Sequence, residues 1–152
     1  MKFVGLDHIG FTVTDLDRSI EFYSFLMGEE PFLRKVWDIE YVGRVVGYPK
    51  VKLDCAFWRL PGGNLLELIQ YLEPKPGHVD METYNTGNAH LCLVTENIHS
   101  DFERLRGRAD FRHPEPVEIP WGPYQGGWVN YIRDPDGISI ELMQTPPGGP
   151  KL

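Results

Sequence analysis

WRLPGGNLLELIQ, residues 58–70, and IRDPDGISIELMQ, residues 132–144, are one pattern written twice. Arg, Pro, Gly, Glu, Leu and Gln recur at matching positions, 6 identities in 13, at an offset of 74. Each copy reads as a hairpin. β-forming residues flank Pro61-Gly62-Gly63 in the first and Asp134-Pro135-Asp136-Gly137 in the second, and such runs turn the chain back on itself. A hairpin repeated within 152 residues points to two like halves.

Further out the repeat continues. LDHIGFTVTDLDRSIEFY (residues 6–23) lies on NAHLCLVTENIHSDFERL (residues 88–105) at an offset of 82. His8 falls on His90, and Leu16, Ile20 and Tyr23 fall on Ile98, Phe102 and Leu105. The offset shrinks by eight between the two pairs, so the first half carries about eight extra residues, with YVGRVVGYP (residues 41–49) as the candidate insertion. Each half reads as strand, helix and three strands. In the first, alternation predicts a strand over Phe3–Val13. Thr14-Asp15-Leu16-Asp17 resembles a capping box with Asp in place of Glu. Leu16, Ile20, Tyr23 and Met27 give one helical face, and Gly28 ends the helix. Strands follow near Phe32–Ile39, Lys52–Leu60 and Leu65–Tyr71. In the second, a strand covers Ala89–Thr95 and a helix covers Ile98–Arg106, ended by Gly107. Strands then lie near Val117–Ile119, Trp128–Arg133 and Ser139–Gln144. The expected class is α+β: one domain with module one at about 3–72, a linker at about 73–87, module two at about 88–145 and a frayed tail at 146–152. Each half is too small to bury a core alone.

Composition narrows the partners. The net charge is −7, with no Lys/Arg cluster, which argues against nucleic acid and anionic membrane. No apolar run reaches the length of a membrane span and no signal peptide is visible, so the cytoplasm is the expected location. Cys55 and Cys92 lie in apolar, strand-like runs and read as buried free thiols.

Strand alternation makes four polar residues more than a list. Ile9, Phe11 and Val13 point one way and His8 the other; Leu91 and Leu93 oppose His90; Leu66 and Leu68 oppose Glu67; Ile140 and Leu142 oppose Glu141. A single His or Glu in a strand is usually a structural or surface residue. Two His and two Glu matched across an internal repeat, with agreeing alternation, are expected to be ligands. All four project from the face opposite the helices and would converge if the two sheets curl around a common hollow. Two imidazoles and two carboxylates suit one Zn²⁺, Ni²⁺, Co²⁺, Mn²⁺ or Fe²⁺ ion. An octahedral ion would keep about two positions for water or substrate.

Other residues carry weaker signals. Residues 121–127, WGPYQGG, read as a flexible aromatic loop that either closes over a substrate with Trp121 and Tyr124 or packs Trp121 into the core. The insertion at 41–49 reads as a short amphipathic wall, with Arg44 available to an anionic substrate. Arg59 and Arg133, at matching hairpin positions, read as structural pairing. His78, His99 and His113 lie outside the repeat and read as surface residues.

DHIGFTVTDLDRSIEFY, AHLCLV and DPDGISIEL resemble the recurring motifs of the vicinal oxygen chelate superfamily, also called the glyoxalase/bleomycin-resistance/dioxygenase group. The resemblance covers nearly the whole chain. It implies paired βαβββ modules forming a curved mixed-sheet cup, with His8, Glu67, His90 and Glu141 at the family's metal positions. The four-ligand set looks most like glyoxalase I and methylmalonyl-CoA epimerase, which implies a lyase or isomerase that works through an enediolate-type intermediate on a small oxygenated metabolite. Glu67 and Glu141 would then move the proton. Epimerases of this kind usually have Gln where this chain has Glu67. An Fe(II) extradiol ring-cleaving dioxygenase would use His8, His90 and Glu141, with Glu67 counting against it. A drug-binding or resistance protein would lack the metal set. Small members of the group are often homodimers, so a homodimer is expected.

Overall fold

The computed structural model describes residues 2–150. The chain divides into two compact units, residues 1–79 and 80–152. The class is α+β, as expected: the described residues form three helices and two mixed sheets.

In the first unit β1 (His8–Thr12) leads into α1 (Leu16–Met27), β2 (Leu33–Trp37), α2 (Glu40–Val46), β3 (Lys52–Arg59) and β4 (Leu65–Glu73). The sheet order is β1-β4-β3-β2. β1 runs parallel to β4, and the other pairs are antiparallel. β1 is shorter than the predicted Phe3–Val13. The alternating pattern extends further back, but the β1–β4 register begins at His8 beside Leu65, and Phe3, Val4 and Leu6 are exposed.

The cap of α1 is Asp15, not Thr14. Its carboxylate accepts from the Arg18 N–H at 3.0 Å. Gly28 closes the helix at φ 74°, a left-handed conformation that costs glycine nothing. The buried stripe is Leu16, Ser19, Tyr23 and Leu26, rotated from the predicted one at Ile20 and Met27. Ser19 tolerates burial because its hydroxyl donates to the Asp15 carbonyl at 2.9 Å. Trp58 packs on Tyr23 and donates its indole N–H to the Glu29 carbonyl at 3.0 Å. Arg34 forks onto Asp54 of β3 and reaches Asp17 in the first turn of α1, tying helix to sheet. The insertion is α2. Val42 and Val46 pack with Val51, Leu53 and Cys55 and with half-buried Trp37, Phe57, Ile69 and Tyr71.

The second unit repeats the plan. β5 (His90–Val94), α3 (Ile98–Leu105), β6 (Asp110–Phe111), β7 (Val117–Glu118), β8 (Trp128–Arg133) and β9 (Ser139–Gln144) form a sheet of order β5-β9-β8-β6, with β7 also on β8. β5 is parallel to β9. The two-residue β6 was not foreseen, because two residues carry no periodicity. α3 buries Ile98, Phe102 and Leu105 as predicted. The recurring glutamines now have a reason. Gln70 accepts the N–H of Leu16, the first residue of α1, and Gln144 accepts that of Ile98, the first of α3, each at 2.9 Å. Each last strand thus satisfies a helix donor that the helix itself leaves orphaned. Gln144→Leu should destabilise the protein by about 1–3 kcal/mol, because the buried Ile98 N–H loses its acceptor. Urea unfolding reads the change, and an unchanged midpoint would count against the cap.

The linker is held by charge. Glu82 takes Arg133 at 2.6 Å and Arg112 at 3.0 Å, and these arginines lower its proton affinity. Arg59 stacks over Phe32 at 4.3 Å, so both hairpin arginines pair structurally. In the tail, residues 146–149 close a turn through Gly149 N–H to the Pro146 carbonyl; residues 151 and 152 of the predicted frayed tail lie outside the described residues. No helix among the described residues is long and apolar enough to cross a membrane.

Candidate metal centre

Alternation along each strand, read in register, sets the geometry of the site. In the first unit Leu66 and Leu68 are fully buried, so Glu67 between them takes the opposite face. Gly10 of β1 and Phe57 of β3 stand beside Glu67 in register. His8, two residues before Gly10, shares that face. Its Nε2 is 3.5 Å from Glu67 Oε2. Its Nδ1 is 2.8 Å from Asp7 Oδ1, so Asp7 can hold the ring with Nε2 directed at the carboxylate. The Cys55 thiol hydrogen-bonds Glu67. The Glu67 side chain is only 16% exposed. Burial raises its proton affinity, opposed by nearby His8 and the Cys55 hydrogen bond. Burial also pushes the Cys55 thiol up to about 12, reinforced by the charges of Glu67 and Asp54, so it stays protonated and donates.

The second unit presents the same pair with different supports. Ile140 and Leu142 are buried and Glu141 faces away from them. Cys92 of β5 and Tyr131 of β8 stand beside Glu141 in register. His90 Nε2 is 3.0 Å from Glu141 Oε2. The Tyr131 hydroxyl donates to the same Oε2 at 2.9 Å and lies 3.3 Å from His90 Nε2. Cys92 hydrogen-bonds Glu141, and burial pushes its thiol up to about 11. Burial and the hydrogen bond to Glu141 likewise raise the Tyr131 phenol above its ordinary value. Both cysteines are free; Cys55 is buried, whereas Cys92 as a residue is open to solvent, with only its thiol partly desolvated beside Glu141. It sits on the His90 face of an edge strand, where the apolar run around it gave no sign of exposure.

Both pairs fit a divalent ion. Two ligands about 2.1 Å from a metal span about 3.0 Å at a right angle and about 3.4 Å at the tetrahedral angle. The observed separations are 3.0 and 3.5 Å. The imidazoles are 48% and 45% exposed, open to an incoming ion. The structure gathers the four candidates as two pairs, His8 with Glu67 and His90 with Glu141. Among the described residues it gathers no group of three or more potential ligands.

The candidate substrate residues are placed as follows. On α2, Val42 and Gly43 are buried, whereas Arg44 is exposed. The helix lies on the Glu67 face, beside Cys55, Phe57 and Ile69. Residues 119–127 form a hydrogen-bonded turn: Ile119 and Gly127 pair, Gly126 donates back to Ile119 and Gln125 to Gly122. Gly127 is obligatory there, since a Cβ would stand 2.6 Å from the Gln144 carbonyl. Trp121 is 78% exposed at the tip, not packed in the core, and Tyr124 is half-buried. His99 packs edge-on against Trp128 and His113 bonds the Glu115 carbonyl. Four supporting groups escaped the sequence reading: Asp7, Tyr131 and the two thiols. The repeat itself held the clue to Tyr131, which falls on Phe57 at the same offset of 74.

Residues 5–142 match the family described as the Glyoxalase/Bleomycin resistance protein/Dioxygenase superfamily. A 2-epi-5-epi-valiolone epimerase from Actinomyces sp is 29% identical over 97% of this chain and 82% of its own length. A probable lactoylglutathione lyase from Vibrio cholerae is 30% identical over 91% of this chain and 88% of its own. The crystal structure of a glyoxalase family protein from Bacillus cereus shares the fold, with a TM-score of 0.77 at 24% identity, over 96% of this chain and 97% of that one.

Proposed function

Because the chain belongs to the glyoxalase/bleomycin resistance protein/dioxygenase superfamily, we propose that it is a metal-dependent lyase or isomerase. It would move a proton next to a carbonyl of a small oxygenated metabolite. The observation that carries this reading is the pair of His–Glu contacts at chelating separations, 3.5 and 3.0 Å. The relatives support the reaction class: one is named an epimerase, the other a lyase.

His8, Glu67, His90 and Glu141 would hold one divalent ion. When bound, that ion supplies a Lewis acid that stabilises negative charge on a substrate oxygen. The protein's own residues do the rest. Asp7 orients His8, and Tyr131 and Cys92 donate to Glu141. Of the two carboxylates proposed to move the proton, Glu67 is the better placed to carry it. Detached from the ion, it would take up a proton more readily than an exposed carboxylate, because burial raises its proton affinity. Half-buried Phe57 and Ile69 beside it limit competing water. Trp121, Tyr124 and Arg44 remain proposed substrate contacts, and a homodimer is the proposed assembly, which sedimentation would read directly.

Elemental analysis of the purified protein, run with a panel of hemithioacetal, acyl-CoA, polyhydroxy-ketone and catechol substrates, tests the reading. One divalent ion per chain and turnover of a non-catechol substrate without oxygen uptake is the expected result. Full activity in metal-free protein, or oxygen uptake on a catechol, would overturn it.

A further inference from the structure

We propose that Tyr131 is a positioning residue of this centre, its hydroxyl holding His90 and Glu141 together in ligating geometry. The inference rests on the metal-centre reading above. Three atoms make the case: Tyr131 Oη, Glu141 Oε2 and His90 Nε2 form a triangle with sides of 2.9, 3.0 and 3.3 Å. The phenol donates to the carboxylate oxygen that faces the imidazole. Its ring meets the His90 ring edge to face, with centroids 5.3 Å apart and planes at 67°. One side chain therefore restrains both ligands. The carboxylate cannot rotate away without breaking the phenol bond, and the imidazole cannot swing without leaving the ring. Strand pairing fixes the restraint, because Tyr131 and Glu141 are direct partners on β8 and β9.

The first unit provides an internal control. Phe57 stands opposite Glu67 at the same register and brings no hydroxyl. There His8 is held from behind instead, by Asp7 at 2.8 Å, and the pair is more open at 3.5 Å. Asp7 has no counterpart in the second unit, where Ala89 takes its place in the repeat. Each half orients its histidine with one extra group, but only Tyr131 touches both ligands. Losing such an outer partner typically weakens metal binding about 10- to 100-fold.

Tyr131→Phe removes the oxygen and keeps the ring. Co²⁺ affinity, read by competition with a chromophoric chelator, should fall about 10- to 100-fold. The visible absorption of the Co²⁺-loaded protein should shift, since the ligand angles are no longer restrained. The thermal midpoint of metal-free protein controls for folding. In a Glu141→Gln background the same substitution should cost less, because the phenol acts through that carboxylate; equal costs in both backgrounds would count against the proposal. Wild-type affinity with an unchanged spectrum in Tyr131→Phe overturns it and leaves the metal centre standing. A wild-type protein that binds no Co²⁺ overturns both.

Discussion

Glu67→Gln should lower turnover about 10²- to 10⁴-fold, the usual worth of a general acid–base group, while a divalent ion stays bound. The amide keeps an oxygen for the metal and nearly the same volume, so the neighbours Gly10, Phe57 and Cys55 need not move. It cannot accept a proton. Steady-state kinetics alongside elemental analysis separates the two roles. Wild-type kcat would remove Glu67 from the chemistry, and loss of the metal would make it chiefly a ligand. The same variant has a second signature in metal-free protein. Burial raises the folded-state proton affinity of Glu67 above its ordinary value. The stability that goes with the protonated form is complete below the unfolded value, about pH 4.3, and is lost as pH rises through the folded one. Metal-free Glu67→Gln should therefore be the more stable protein at pH 8, with the advantage vanishing towards pH 4. Urea unfolding in the presence of a chelator measures it.

His90→Ala should abolish stoichiometric metal binding and the activity that depends on it. Removing an outer partner weakens binding about 10- to 100-fold, and removing a ligand should exceed that. His90 stands 3.0 Å from Glu141, and no other imidazole occupies that position of the second unit: His99 packs on Trp128 and His113 bonds the Glu115 carbonyl. Folding should survive, since Glu141 keeps the Tyr131 and Cys92 donors and His90 is half-exposed. His99→Ala is the matched control and should retain its metal. A His90→Ala protein with one ion per chain after gel filtration would dismiss the four-residue site.

How much of this was legible in the sequence differs from element to element. The hairpins at Pro61 and Pro135 were legible because turn chemistry is local. The helices were too, although the buried stripe of α1 fell on Ser19 and Leu26 in place of Ile20 and Met27. A serine that bonds its own helix can be buried, and hydropathy does not register that. Phe3 to Asp7 carried a strand pattern without a strand, since pairing begins at His8. The insertion was located correctly, but its helical state depended on Val42 and Val46 finding the Glu67 face to pack on.

The sequence alone determined which side chains share a face. Alternation is a property of two consecutive residues, so His8 and Glu67 oppose their aliphatic neighbours wherever the strands end up. Only the tertiary structure decided who touches whom. Tyr131 reaches both Glu141 and His90, 10 and 41 residues away, because strand register lays β8 beside β9 and β9 beside β5. Asp7, by contrast, reaches His8 as its immediate neighbour, and ring orientation alone decided that contact. The repeat that pointed to the four candidate ligands treats the halves as equal. Register and side-chain direction make them different, with a carboxylate behind one imidazole and a phenol between the other and its glutamate.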